Sequence, residues 1–226
     1  LGCRVVTFGM EESSMYTARN IAYDSLGCPS YDLVVQGEEI GRVTLGVPGE
    51  HNICNSLAAT AAALELGVGM DGILAGLKRF TGTDRRFEKK GEVGGVTIID
   101  DYAHHPQEIE ATLKAAKNYP HKKLWCVFQP HTYTRTKAFL DEFAQALSLA
   151  DEVVLADIYA ARETDTLGVS AGDIAERLVK MGKQARYIPS FDEIETFILE
   201  NCVPGDLLIT MGAGDIVKVG EKLLGR

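Results

Sequence analysis

Four short, almost wholly apolar runs recur from about residue 93 onward, and each is followed by a segment of helical periodicity. They are VTII (96–99), LWCVF (124–128), VVLA (153–156) and LLIT (207–210). A strand that is apolar at every position is covered on both faces, which is the condition of strands in a parallel sheet. The pattern predicts strands over 93–99, 123–128, 152–156, 185–188 and 207–211, and helices over 106–117, 137–149, 171–180, 191–201 and 215–224. Strand–helix alternation requires right-handed crossovers, so this part of the chain is expected to form a Rossmann-like, mainly parallel, three-layer α/β unit.

The preceding segment reads differently. Up to about Val47 it is β-rich, with strands expected over 4–8, 31–35 and 42–45 and a hairpin bracketed by Gly37 and Gly41. Pro48-Gly49 stops the last strand and a helix begins near His51. Ile53, Leu57, Ala61 and Leu64 recur at helical spacing and form its inward stripe. A second helix is expected over 70–80. Thr81-Gly82-Thr83-Asp84 breaks the pattern and sets the expected domain boundary, giving an α+β unit over 1–82 and the α/β unit over 83–226.

Charge narrows the possible partners. The chain carries 32 acidic against 23 basic side chains, a formal charge of −9, so no broad basic face for nucleic acid is expected. No apolar run approaches the roughly 18 residues of a membrane-crossing helix. The five cysteines are odd in number and include no CxxC pair, which argues against a disulfide framework or a zinc site and for a cytoplasmic location. The chain begins with Leu1, close to an expected strand, and reads as a piece of a longer protein.

In open α/β sheets, ligands bind beyond the carboxyl ends of the strands. Four predicted strands release polar loops there: Asp100-Asp101-Tyr102-Ala103-His104-His105-Pro106, Gln129-Pro130-His131-Thr132-Tyr133-Thr134-Arg135, Asp157-Ile158-Tyr159 with Arg162-Glu163, and Met211-Gly212-Ala213-Gly214-Asp215. Pro106 suits the first position of a helix. One of Asp100 and Asp101 reads as a helix cap, while the other is free to meet a ribose hydroxyl or a cation-bound water. His104 and His105 are either surface residues or donors to an anion. Arg135 is either a bidentate carboxylate clamp or the partner of Asp141. Gly212-Ala213-Gly214 lets backbone N–H groups approach a ligand, but Val217 stands where a dinucleotide fingerprint needs its third glycine. In the first unit, Asn52 and Asn55 share a helix face. Asn52 suits an N-cap, and the two amides together suit a purine or a phosphate. Arg85-Arg86 at the boundary reads as an interdomain salt bridge or as a neutraliser of polyphosphate.

Taken together, GEHNICNSLAA (49–59), GTDRRFE (82–88), DDYAHHPQEIEATL (100–113), FQPHTYTRT (128–136) and TMGAGDI (210–216) resemble the Mur ligase family, the ATP-dependent amino-acid ligases of peptidoglycan synthesis. The resemblance implies that 1–82 is the C-terminal part of a central ATP-binding domain and 83–226 a C-terminal ligase domain. It implies ATP and Mg2+ as cofactors and a reaction through an acyl phosphate. The motif G-x-x-x-x-G-K-[ST] occurs nowhere here, so the phosphate loop and the magnesium ligands are expected upstream, with no metal ligand in this chain and no turnover by it alone. By resemblance His51, Asn52 and Asn55 contact the nucleotide base, Arg86 reaches the phosphates, and Asp101 holds the ribose or orients Arg86. Tyr102, His104, His131 and Arg135 form the amino-acid pocket, with Arg86, Asp101 and His104 as the catalytic set. Thr132 departs from the arginine that some relatives carry. The loops at 100–106 and 128–136 resemble those of the member whose substrates are UDP-N-acetylmuramate and L-alanine. The alternatives are a murein-peptide ligase and a non-catalytic nucleotide- or metabolite-binding domain.

Overall fold

A computed structural model of the protein describes residues 2–165 and 167–226. The chain divides into two compact units, Leu1–Gly82 and Thr83–Arg226.

The first unit is a three-stranded antiparallel sheet, β1 (Tyr16–Tyr23), β2 (Pro29–Val35) and β3 (Glu38–Thr44), in that order, with helices α1 (His51–Glu65) and α2 (Met70–Arg79). The β2–β3 connection is the two residues Gln36 and Gly37, both at positive φ, the conformation that matches the twist of a tight hairpin. Tyr31, Leu33 and Val43 from the sheet meet Ile53, Leu57 and Ala61 of α1, all buried. Tyr31 also hydrogen-bonds Ser56 at 2.7 Å, tying sheet to helix. The strand expected over 4–8 is not formed. Only Phe8 makes a bridge, to Tyr16, because the place beside β2 belongs to β1, whose polar TARN stretch masks it in the sequence.

The second unit is a six-stranded sheet in the order β4-β5-β9-β6-β7-β8. Its strands are β4 (Glu88–Val93), β5 (Val96–Asp101), β6 (Leu124–Phe128), β7 (Glu152–Leu155), β8 (Gln184–Tyr187) and β9 (Leu207–Met211). All pairings are parallel except β4 with β5. The single strand expected over 93–99 is instead a hairpin. Gly94 and Gly95, at φ 58° and 78°, fold the chain back and create the antiparallel edge strand β4. The helices are α3 (Pro106–Lys117), α4 (Tyr133–Ala138), α5 (Leu140–Leu147), α6 (Gly172–Lys180), α7 (Phe191–Asn201) and α8 (Val217–Leu223). The helix expected over 137–149 starts earlier, at Tyr133, and is broken at Phe139, which leaves helical geometry.

Strand side chains alternate between faces, and the two cores follow that period. Leu124, Cys126 and Phe128 of β6, with Ile99 and Ile209, pack with Ile109, Leu113, Phe143, Leu147, Ile174 and Leu178 of α3, α5 and α6. Trp125, Val127, Ile98 and Leu208 pack with Ile194, Ile198 and Val219 of α7 and α8. The unit is therefore the three-layer, mostly parallel sheet that the apolar runs demand. No helix among the described residues is long and apolar enough to cross a membrane.

Candidate active site

The carboxyl ends of β5, β9, β6 and β7 bring four loops to one edge of the second unit. At the end of β5, Asp100 and Asp101 are both buried, at 0% and 4% exposure. Neither caps a helix. The N-cap of α3 is His105, whose ring nitrogen accepts from the Gln107 amide, while the Glu108 carboxylate accepts from the amides of His104 and His105. That reciprocal arrangement satisfies the free donors of the first turn.

The two carboxylates face back toward 85–87. Asp100 accepts from Arg85 Nε at 2.8 Å and from the Thr210 hydroxyl at 2.7 Å. Asp101 accepts from the Phe87 amide at 2.8 Å and the Ala103 amide at 2.7 Å. Burial is the largest influence on both and pushes both carboxyls up. Arg85 and Thr210 pull Asp100 the other way, as the two amides do for Asp101. Asp101 is expected to hold a ribose or to orient Arg86, and its hydrogen bonds place it next to that residue in the chain. Thr112 also hydrogen-bonds the Asp101 carboxylate, which through the Phe87 amide grips the residue after Arg86. Arg86 itself is exposed, and its charge is felt by Asp101 and Glu108. Arg85 bridges within the second unit, to Asp100.

Tyr102 and His104 extend from the same loop. Tyr102 lies under the Arg85 guanidinium, 4.9 Å from carbon to ring centroid, and meets His104 edge-on at 5.5 Å. His104 Nδ1 lies 3.0 Å from the Tyr102 carbonyl, and its ring lies 5.9 Å from that of His131. His131 in turn stacks on Tyr159. Tyr102, His104 and His131 are therefore one continuous cluster. Arg135 is half-buried in α4. Its Nη1 is buried without a hydrogen-bond partner among the described residues, as are His131 Nδ1 and Gln129 Oε1. Arg135 does not pair with Asp141, which is held by Arg177 at 2.6 Å.

Gly212-Ala213-Gly214 is tied to both neighbouring loops. The Gly212 N–H donates to the Asp101 carbonyl, and the carbonyls of Gly212 and Gly214 turn to Arg85. The glycines matter for space. A Cβ on Gly214 would strike Gln129 Oε1 and come within 2.9 Å of the Tyr159 ring.

In the first unit, His51 opens α1 and Asn52 is not its N-cap, a position that falls to Glu50. The Asn52 side chain donates to the Pro48 carbonyl at 2.8 Å and accepts from Asn55 at 3.0 Å. The shared helix face is real, and it joins the two amides to each other. Asn55 and His51 are exposed. No cluster of three or more His, Cys, Asp or Glu side chains suited to a metal occurs among the described residues.

Sequence reasoning missed three participants: Arg85 as the partner of Asp100, Tyr159 as the stacking partner of His131, and Glu163, whose carboxylate accepts from the Thr134 hydroxyl and from its amide at 2.9 Å. The signal for Arg85 was present, since two adjacent arginines beside two adjacent carboxylates predict that one pair closes on itself.

Known proteins resemble this chain over nearly its whole length. The model described as "Mur ligase middle domain" matches residues 1–63, and that described as "Mur ligase, glutamate ligase domain" matches 85–214. The UDP-N-acetylmuramate–L-alanine ligase of Lachnospira eligens is 61% identical over 98% of this chain and 49% of its own length. That of Agathobacter rectalis is 56% identical over 98% of this chain and 48% of its own. The chain thus spans about half the length of the curated relatives it matches. Among solved structures, the UDP-N-acetylmuramate–alanine ligase of Thermotoga maritima superposes with a TM-score of 0.83 at 31% identity, covering 98% of this chain and 47% of that one. A murein peptide ligase from Psychrobacter arcticus gives 0.69 at 27%, covering 97% and 45%. With more than half of its residues matched by the glutamate ligase domain, this chain belongs to the Mur ligase family.

Proposed function

We propose that this chain is the amino-acid-adding half of an ATP-dependent, C–N bond-forming ligase of peptidoglycan synthesis. The ligase joins L-alanine to the carboxylate of UDP-N-acetylmuramate in the cytoplasm. The observation that carries the reading is Arg135 Nη1, a buried guanidinium nitrogen with no acceptor among the described residues, beside the His131–His104–Tyr102 cluster. A small carboxylate supplies what that nitrogen lacks, in the planar fork geometry that favours Arg over Lys. The names and identity of the relatives favour L-alanine as its owner.

The residues divide the work. His131 is half-buried, and its imidazole is held below its ordinary titration range by burial, then by Arg135 and His104, so it stays neutral beside the guanidinium. The Tyr102 carbonyl can only accept, so His104 Nδ1 carries a hydrogen, and in the neutral ring Nε2 holds the lone pair. That lone pair suits removal of a proton from the attacking amine. ATP, when bound, supplies the phosphoryl group that activates the carboxylate. In the second unit the exposed Arg86 would meet its phosphates, and in the first unit the resemblance offers His51, Asn52 and Asn55 for a base. Asp101 acts as a positioning residue for Arg86 through the Phe87 amide. No residue of this chain is assigned to Mg2+, and the chain by itself is expected not to turn over.

The test uses a full-length ligase carrying this segment, with ADP release measured against L-alanine and against a tripeptide. L-alanine-dependent release is expected, and Arg135→Gln should raise the KM for L-alanine by about tenfold or more, the loss of one charge-assisted hydrogen bond. Release that depends on the tripeptide and not on L-alanine would reject the reading.

A further inference from the structure

Two adjacent arginines enter this site, Arg85 half-buried and Arg86 exposed. The backbone on either side of it is unusual. Arg85 and Phe87 both sit at positive φ, 59° and 47°, a conformation that costs a non-glycine residue about 1 kcal/mol or more and persists only where its surroundings impose it. Here the adjacent carboxylates impose it. Asp100 holds the Arg85 side chain, Asp101 holds the Phe87 amide, and Glu88 accepts from the Arg85 amide at 2.8 Å. The ring of Phe87 is packed against Tyr119. Arg86 is thus the projecting residue of a loop gripped on both sides.

Arg85 does more than close an ion pair. Its Nη2 donates to the Gly212 carbonyl at 2.7 Å and its Nη1 to the Gly214 carbonyl at 3.3 Å. Its guanidinium covers the Tyr102 ring, and its own carbonyl accepts from the Tyr102 amide at 2.7 Å. One side chain therefore joins the loop that carries Arg86, the loop that carries Tyr102, and the glycine loop after β9.

We infer that Arg85 is a positioning residue that fixes Arg86 and Tyr102 relative to each other. This rests on the ligase reading above, in which Arg86 serves the phosphates and Tyr102 the amino acid. Loss of the clamp then disturbs both ends of the site together. Lysine can keep the charge against buried Asp100, but it lacks the rigid fork that reaches two further carbonyls while lying flat on a ring.

The decisive experiment is Arg85→Lys in a full-length ligase carrying this segment, alone and combined with Arg86→Ala. The Tm is expected to stay close to wild type because Asp100 keeps a cation. The kcat should fall by roughly 10- to 100-fold, as misplacement of a catalytic group does, and the KM for L-alanine should rise while that for UDP-N-acetylmuramate holds. In the Arg86→Ala background, Arg85→Lys should lower kcat by no more than about twofold further, since residues acting as a unit are not additive. Wild-type kinetics in Arg85→Lys, or fully additive losses in the double variant, would overturn the inference. Should Arg85→Lys fail to fold, Arg85→Gln with Asp100→Asn removes both charges and takes its place. Hydrogen exchange on the 226-residue chain gives an arm independent of the ligase reading. The Phe87 and Tyr102 amides should exchange faster in the variant, and unchanged protection would overturn the clamp. Absence of any L-alanine-dependent turnover in the wild type would instead reject the ligase reading and leave the exchange result standing.

Discussion

The imidazole of His131 lies nearly parallel to the phenol ring of Tyr159, with centroids 5.4 Å apart and 25° between the planes. The backbone fixes this stack. Thr132 donates to the Tyr159 carbonyl, and Tyr159 donates to the Pro130 carbonyl, both at 2.9 Å. The loop after β7 thereby roofs the loop after β6, and His131 is held half out of water with Arg135 and His104 nearby.

His131 should titrate below the ordinary imidazole value of 6.5. Burial disfavours its cation most, followed by the charges of Arg135 and His104. The unfolded chain then takes the proton first. The stability that the neutral ring contributes is complete above pH 6.5 and is lost as pH falls through the lower, folded value. In an NMR titration, Arg135→Gln should move the His131 midpoint upward. An unmoved midpoint would show that Arg135 does not act on this ring.

Gly214 is required for space and not for backbone freedom, since its φ is not positive. Gly214→Ala puts a methyl against Gln129 Oε1 and the Tyr159 ring. Overpacking of this kind costs about 1–3 kcal/mol. The displaced group is the roof over His131, so the KM for L-alanine should rise as the Tm falls. A lower Tm with an unchanged KM would separate Tyr159 from the amino-acid pocket.

The layered fold was legible because continuous apolar runs leave a strand no choice but burial on both faces. Two local features escaped for a physical reason. Gly94-Gly95 turns the chain within what reads as one strand, and β1 opens on buried Tyr16, Thr17 and Ala18 but runs on through exposed Arg19 and Asn20, which break its apolar signal. The site was legible as a set of residue types at strand ends. Which donor meets which acceptor was not. Arg85 and Arg86 are equivalent as letters, and only the left-handed backbone at 85 and 87 turns one inward and the other out. Asp100 and Asp101 likewise look alike as letters, and the expected helix cap falls to neither, since Asp100 holds Arg85 and Asp101 holds the Phe87 and Ala103 amides.

Glu163 latches the loop after β7 to the start of α4. Its carboxyl is held below the usual range chiefly by the Thr134 hydroxyl, then by the Thr134 amide. A lowered acid contributes its stabilisation above the unfolded value, and that contribution disappears as pH falls through the folded one. Glu163→Gln should therefore speed exchange of the Thr134 amide at neutral pH, and acidification of the wild type should reproduce the effect. Equal protection in both proteins would mean that the latch does not hold the loop.

The opposite edge of the sheet offers a separation of stability from chemistry. Asp206, 2% exposed just before β9, accepts from Trp125 Nε1 at 2.9 Å, from the Val203 amide at 3.1 Å and from the Lys123 amide at 3.3 Å. It joins the amino ends of β6 and β9, away from every residue assigned to substrate. Asp206→Leu leaves the buried indole N–H without an acceptor, at a cost of about 1–3 kcal/mol for each donor stranded in this way. Asp206→Asn keeps an acceptor for the indole and should cost less. Both variants should lower the Tm and leave the KM for L-alanine in the full-length ligase unchanged, because parallel strands carry their ligand sites only at the carboxyl end. A rise in that KM without loss of Tm would mean that the two edges of the sheet are coupled.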